Sequence, residues 1–173
     1  KLSLNFNNEK RCKTFQYAVG SRIEDKVLFD WKEYGTGFAS FYKDSIKQIL
    51  LPTYGKISLD YEDSVKVITL DSINYEKKIE FIKIDVEGNE FEVLKGGRDS
   101  IKNNKPKYIL LEFNKANVYS RVFMKDLINL LDNYSLYRIM PGGKMLELNK
   151  PYNPISHEIF GSQNVIFIKN NKK

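Results

Sequence analysis

Only one cysteine and one histidine occur among the 173 residues, and their scarcity removes whole classes of chemistry. With Cys12 alone there is no internal disulfide and no site built from several thiolates, which points to a reducing, cytoplasmic compartment. With His157 alone, Ser-His-Asp catalysis and multi-histidine metal centres lose their partners. His157 is expected at the surface of a late loop and is given no role. Acid-base work falls to carboxylates and lysines. Long apolar runs are missing too: no stretch approaches the ~18 residues of a membrane span, so the chain is read as soluble. Arginine is scarce, with Arg11, Arg22, Arg98, Arg121 and Arg138 among 28 basic residues and a net charge of +6. The lysines are spread along the chain instead of forming a stripe, which argues against nucleic acid as a partner.

Repeats, low-complexity tracts and Pro/Gly linkers are absent, so no boundary divides the chain. A composition that is 42% hydrophobic and 13% aromatic suits one domain over residues 1–173 with a core of its own. The chain starts at Lys1, followed by the amphipathic run Leu2, Leu4 and Phe6, and is read as a piece of something longer.

Strands are predicted at 14–19, ended by Gly20 and Ser21, at 26–31 and at 66–70, the last followed by Asp71 and Ser72 as a helix cap. The segment 33–42 holds two glycines between aromatics and reads as a loop. Its aromatics, with Trp31, Tyr34, Phe38, Phe41 and Tyr42 in the set, either stack on a sugar ring or cover the sheet, the second being the commoner fate. Residues 81–85 and 108–113 are the most apolar strands, and the helical stretch between them gives βαβ spacing and adjacent parallel strands. In that stretch Phe91, Leu94 and Ile101 share a face, Gly96 and Gly97 punctuate it and Pro106 stops it. A helix is expected over 121–133. Strands at 136–140 and 164–168, with a Gly142-Gly143 turn between, are expected as an antiparallel edge pair.

Alternation along 81–85 points Phe81, Lys83 and Asp85 one way. A lysine in an apolar central strand needs a carboxylate partner, and Glu112 on the neighbouring strand is the leading candidate. In the expected register Lys83, Asp85 and Glu112 converge on one crevice at the carboxyl ends of the strands. Glu87 and Gly88 form the turn out of the strand, Gly88 permitting a positive φ. Glu90 and Glu92 favour the first turn of a helix. Glu87 and Glu90 are therefore given structural roles, and Asp85 a functional one.

The segment IKIDVEGNE, followed by VLKG, resembles the signature of the FkbM family of S-adenosylmethionine-dependent methyltransferases. The preceding VITLDSI, the AVGS at 18–21 and the ILLEFN at 109–114 extend the resemblance over residues 14–114, and the ordered set is far more specific than a lone DVEG. The resemblance implies an α/β fold: a Rossmann-like class I methyltransferase sheet, mostly parallel, with an antiparallel C-terminal strand. It implies that Asp85, with Val86 next to it, lies at the methyl group and amino-acid moiety of S-adenosylmethionine, and that Ala18 and Val19 approach the adenine. Glu112 would stand at the acceptor side, with Lys83 tuning its partner. The acceptor would be a hydroxyl of a sugar, polysaccharide or small natural product. No residue is assigned to a metal, although related folds hold magnesium on strand-end carboxylates and a divalent cation stays an option.

The chain departs from the family in one respect. No D-x-G-x-x-G-like loop follows a strand, so the first two strands of the sheet, which hold the cofactor, have no counterpart. Lys1 to Asn8 would correspond to the helix after strand two. The uncovered sheet edge would need another segment or a second chain to close it. Three readings follow: the C-terminal part of an O-methyltransferase, a non-catalytic half-fold that binds a partner, and another α/β enzyme using phosphate or metal at the carboxylates. The first is preferred.

Overall fold

The computed structural model describes residues 12–30, 37–54, 61–148 and 151–170, without the side chains of 49–54. The first eleven residues and Trp31, Glu33 and Tyr34 therefore lie outside the described residues. Two sheets organise the chain. The smaller has the order β1 (Ala18–Val19), β3 (Tyr61–Ile68), β2 (Glu24–Asp30), with β1 parallel and β2 antiparallel to β3. Helix α1 (Lys43–Tyr54) lies between β2 and β3 in sequence.

The larger sheet has five strands: β4 (Phe81–Ile84), β5 (Tyr108–Phe113), β8 (Gln163–Lys169), β6 (Tyr134–Ile139) and β7 (Met145–Glu147), in that spatial order. As expected, β4 and β5 are parallel neighbours and β6 and β8 are antiparallel ones, but β8 lies inside the sheet, between β5 and β6. The sheet is nevertheless mixed and not mostly parallel, because β4–β5 is its one parallel pairing. The pair β6 and β8 is not an edge either. The hairpin strand β7, reached through the positive-φ turn at Gly142 and Gly143, forms that edge instead.

Strand β5 shows why the sheet folds this way. Ile109, Leu111 and Phe113 are fully buried, while Tyr108, Leu110 and Glu112 point to the other face. The buried set meets Val165 and Phe167 of β8 and the helix side chains Leu94, Met124 and Leu127 in one core cluster. Each such side chain contributes about 2 kcal/mol. The opposite face differs: Phe81 is half exposed, Lys83 is exposed, and Leu110 and Ile166 are partly exposed and outside that cluster. Strand β4 ends the sheet, and among the described residues no strand pairs with its outer edge.

The connection from β4 to β5 is two helices, α2 (Glu90–Lys95) and α3 (Arg98–Asn104), broken at Gly96 and Gly97. The break has a steric cause. A Cβ on Gly96 would lie 1.9 Å from the carbonyl oxygen of Gly20, so the AVGS segment and the VLKGG segment touch backbone to backbone. Asn89 Nδ2 donates to the Val19 carbonyl at 3.0 Å, the Asp71 amide donates to the Gly96 carbonyl at 2.9 Å, and Ser21 Oγ donates to Glu92. The motifs that are separate in sequence are thus one junction between the two sheets.

Several boundaries move. The first strand is only two residues long, with Phe15 and Tyr17 exposed, and β3 starts five residues before the expected 66. Asp71 and Ser72 do not cap a following helix. Thr69 Oγ1 accepts from the Ser72 amide in a short 3-10 turn (Leu70–Ser72), and the Asp71 carboxylate accepts from the amides of Asp99 and Ser100, capping α3 from a distance. The helix expected over 121–133 is shortened to α5 (Met124–Leu130), and a separate short helix, α4 (Ala116–Ser120), precedes it, ended by Arg121 at a left-handed φ of 57°. His157, expected at the surface, is 3% exposed. It ends the single-turn helix α6 (Pro154–His157), with Nδ1 2.8 Å from the Asn153 carbonyl oxygen and its ring against Tyr152.

Candidate active site

The parallel register pairs Ile84 with Leu111, so the next residues along, Asp85 and Glu112, come level at the carboxyl ends of β4 and β5. Both emerge on the less covered face. Glu87 joins them from the turn. One oxygen from each of Asp85, Glu87 and Glu112 lies within 4.8 Å of the others. The expected convergence of Asp85 and Glu112 is present, with a third carboxylate that the sequence reading had assigned to the turn.

Lys83 is the part that differs. Its Nζ donates to Asp85 Oδ2 at 2.8 Å, two residues along its own strand, and Glu112 instead accepts from Ser162 Oγ at 2.8 Å. The expectation that Lys83 pairs with Glu112 assumed a buried central strand. Because β4 ends the sheet, Lys83 stays in water and reaches the nearest carboxylate.

The turn after β4 is held from several sides. Glu90 is 1% exposed and accepts from the amides of Val86 and Gly88, both at 3.2 Å, and from Asn117 Nδ2. Its role is structural, as expected: it satisfies amides that would otherwise be buried without partners. Gly88 has a φ of 101°, and a Cβ there would crowd Ala116 at 3.0 Å. Glu87 itself has a φ of 50°, a conformation side-chain-bearing residues seldom adopt. Ser40 Oγ donates to the Glu87 carbonyl at 2.7 Å, and Asn114 Nδ2 donates to Glu87 Oε2 at 3.3 Å. Asn114 is in turn fixed by Ala116 and Asn117, its Oδ1 accepting from the Ala116 amide.

Three neighbouring carboxyls thereby acquire different proton affinities. The hydrogen bond from Lys83 holds Asp85 below the usual carboxylate range, against the opposing effect of partial burial. Burial, and then the charge of Glu112, push Glu87 up to about 7, with the Asn114 amide pulling the other way. Burial also raises Glu90, opposed by the amides that surround it. For Glu87 the neighbouring carboxylate charges add to burial in disfavouring its ionised form.

Ala18 and Val19 pair with Val67 and Ile68 and are partly buried, and Val86 packs partly against the core cluster. Asn89, 2% exposed, keeps a buried Oδ1 with no hydrogen-bond donor among the described residues. In the aromatic loop, Phe41 and Tyr42 are partly buried, with Lys26 Nζ 4.3 Å above the Phe41 ring. Those two rings cover the fold, whereas Phe38 is exposed and Trp31 and Tyr34 lie outside the described residues. Asp85, Glu87 and Glu112 offer oxygen ligands of the kind a hard divalent cation takes, but Lys83 already neutralises Asp85. The residues that sequence reasoning did not single out are Ser40, Asn89, Asn114 and Ser162. Asn89, inside IKIDVEGNE, and Asn114, inside ILLEFN, carried a sequence signal.

Residues 2–139 match the family model of the methyltransferase FkbM domain. No curated protein matches the chain. Among solved structures, the chain is similar to the crystal structure of methyltransferase FkbM from Methylobacillus flagellatus KT, with 16% identity and a TM-score of 0.49. That alignment covers 96% of this chain and 32% of the other, so the chain spans about a third of that protein's length.

Proposed function

Since the chain belongs to the FkbM methyltransferase family, we propose that it provides the acceptor side of an S-adenosylmethionine-dependent O-methyltransferase. The acceptor is a hydroxyl of a sugar, polysaccharide or small natural product. The single observation that carries this reading is the trio of carboxylates at the ends of two parallel strands, within 4.8 Å of one another, in which Asp85 is held below and Glu87 pushed above the usual carboxylate range. The fold reading that goes with it is a Rossmann-like class I sheet whose strands β4, β5, β8 and β6 form the second half. The single exposed thiol of Cys12 suits a reducing, cytoplasmic setting.

The cofactor, when bound, supplies a methyl group on a cationic sulfonium. The donor set fits such a group: Asp85 is kept ionised by Lys83, and the unpaired Asn89 Oδ1 sits beside Val19. Asp85 and Val86 would hold the sulfonium and amino-acid end, and Ala18 and Val19 the adenine side. Glu87 is better suited than Asp85 to take a proton near neutral pH, because an ionised Asp85 is too weak a base for a hydroxyl. With the methyl group supplied by the cofactor to the acceptor oxygen, the hydroxyl proton would pass to Glu87. Glu112, steadied by Ser162, orients the hydroxyl, and alignment supplies most of the remaining rate.

Calorimetry with two ligands tests the reading. Asp85→Asn should weaken binding of cationic S-adenosylmethionine by about tenfold while leaving neutral S-adenosylhomocysteine little changed. Equal losses for both would reject Asp85 as the partner of the sulfonium. Failure of both the chain and a version extended upstream to bind either ligand would favour a non-catalytic interaction module.

A further inference from the structure

At the amino-terminal end of β5 and β6, about 13 Å along the strands from Glu112, a cavity of about 870 Å³ opens beneath helix α3. Its rim carries Arg98, Lys102, Lys105 and Lys169, with Asp132 as its one acid. Among the described residues none of these four cations has a hydrogen bond or ion pair through its side chain. Asp132 is engaged by Asn133 Nδ2, and Asp71 is turned to the backbone amides of α3. The floor is apolar, built from Leu94, Ile101 and Leu131.

Two features set this cluster apart from scattered surface lysines. Arg98 stands in the first turn of α3, where the helix dipole disfavours a cation, and the Asp71 carboxylate that caps this turn is committed to the Asp99 and Ser100 amides and makes no ion pair with Arg98. Lys105 is held at a left-handed φ of 50° at the other end of the same helix, so both ends of α3 bring positive charge to one concavity. Four unpaired cations around an apolar floor repel one another until an anion enters, and a multiply charged anion gains most.

We propose that this cavity is a binding site for a phosphorylated small molecule, a diphosphate ester with an apolar portion, separate from the carboxylate site. Arg98 grips the diphosphate with its planar fork, the lysines neutralise the remaining charge, and the apolar portion lies on Leu94 and Ile101. A concave pocket of this size suits a small ligand and not the flat surface of a bilayer.

The test is calorimetry on the whole chain with inorganic pyrophosphate and with geranyl diphosphate. Both should bind, the second more tightly through its hydrocarbon. Arg98→Glu with Lys102→Glu should weaken both by about a hundredfold, and Lys66→Glu with Lys77→Glu, the same change of charge elsewhere, should leave both affinities unaltered. Should the first pair misfold by circular dichroism, Lys102→Gln with Lys105→Gln provides the milder variant, with about a tenfold loss expected. Absence of binding by either diphosphate, equal losses in the two double variants, or association only with phosphatidic acid vesicles would each overturn the proposal.

Discussion

At the carboxyl ends of β4 and β5 each charged side chain is tied to a neighbour: Lys83 to Asp85, Ser162 to Glu112, Asn114 to Glu87, and three donors to Glu90. At the other end of the same sheet, Arg98, Lys102, Lys105 and Lys169 ring a cavity with no such ties among the described residues. The difference teaches what each kind of charge does. The carboxylates there are fixed in geometry, and Asp85 and Glu87 are moved in opposite directions in proton affinity, which is what reaction chemistry needs. Unbonded cations over an apolar floor have their attraction left for something that arrives from outside.

The comparison is broken most severely by removing the frame between the two ends. Gly96→Ala puts a methyl group into the Gly20 carbonyl and should cost about 4 kcal/mol or more, seen as a large fall in the guanidinium unfolding midpoint. An unchanged midpoint would mean that the backbones do not touch. Next in size, Glu87→Gln should lower methyl transfer by about a hundredfold. It should also remove the rise in rate through about pH 7 that the Glu87 carboxyl predicts. A variant retaining that rise would show that another group accepts the proton.

Stability sharpens the same contrast. Burial raises the folded pKa of Glu87 from 4.5 to about 7, so its contribution to stability is fully present below the unfolded value and is lost as pH rises through the folded one. Glu87→Gln should therefore be more stable than the parent at pH 8 by about 1 kcal/mol, after discounting for the water that still reaches the carboxyl, and no more stable at pH 4. Equal effects at both pH values would show that the carboxyl is not held in its protonated form. The smallest effect belongs to Lys83→Met. The exposed pair with Asp85 contributes about 0.5 kcal/mol or less, so the unfolding temperature should barely move while the Asp85 pKa rises. A large loss of stability would mean that the lysine supports the strand.

Much of this arrangement was legible in the sequence. The alternation of Tyr108–Phe113 and the spacing from Asp85 to Glu112 are local facts, and they gave the parallel pair and the level carboxylates. Gly96 and Gly97 were visible as punctuation, but their steric reason was not, since Gly20 lies far away in the chain. The position of β8 inside the sheet depends on pairing among distant segments, which no local pattern encodes. Lys83 was paired with Glu112 because its strand was taken as central. Glu87 was left to the turn because what alters its proton affinity, burial and Glu112, comes from another strand. His157 was placed at the surface because two prolines and polar neighbours resemble an exposed loop, whereas Asn153 and Tyr152 enclose it.

The most direct test of the central claim, that Glu87 stands ready to accept a proton beside an ionised Asp85, is a carbon-13 NMR titration of the side-chain carboxyls. Glu87 should titrate near 7 and Asp85 below its ordinary 3.8. A Glu87 carboxyl titrating near 4.5, together with an unshifted Asp85, would contradict the account.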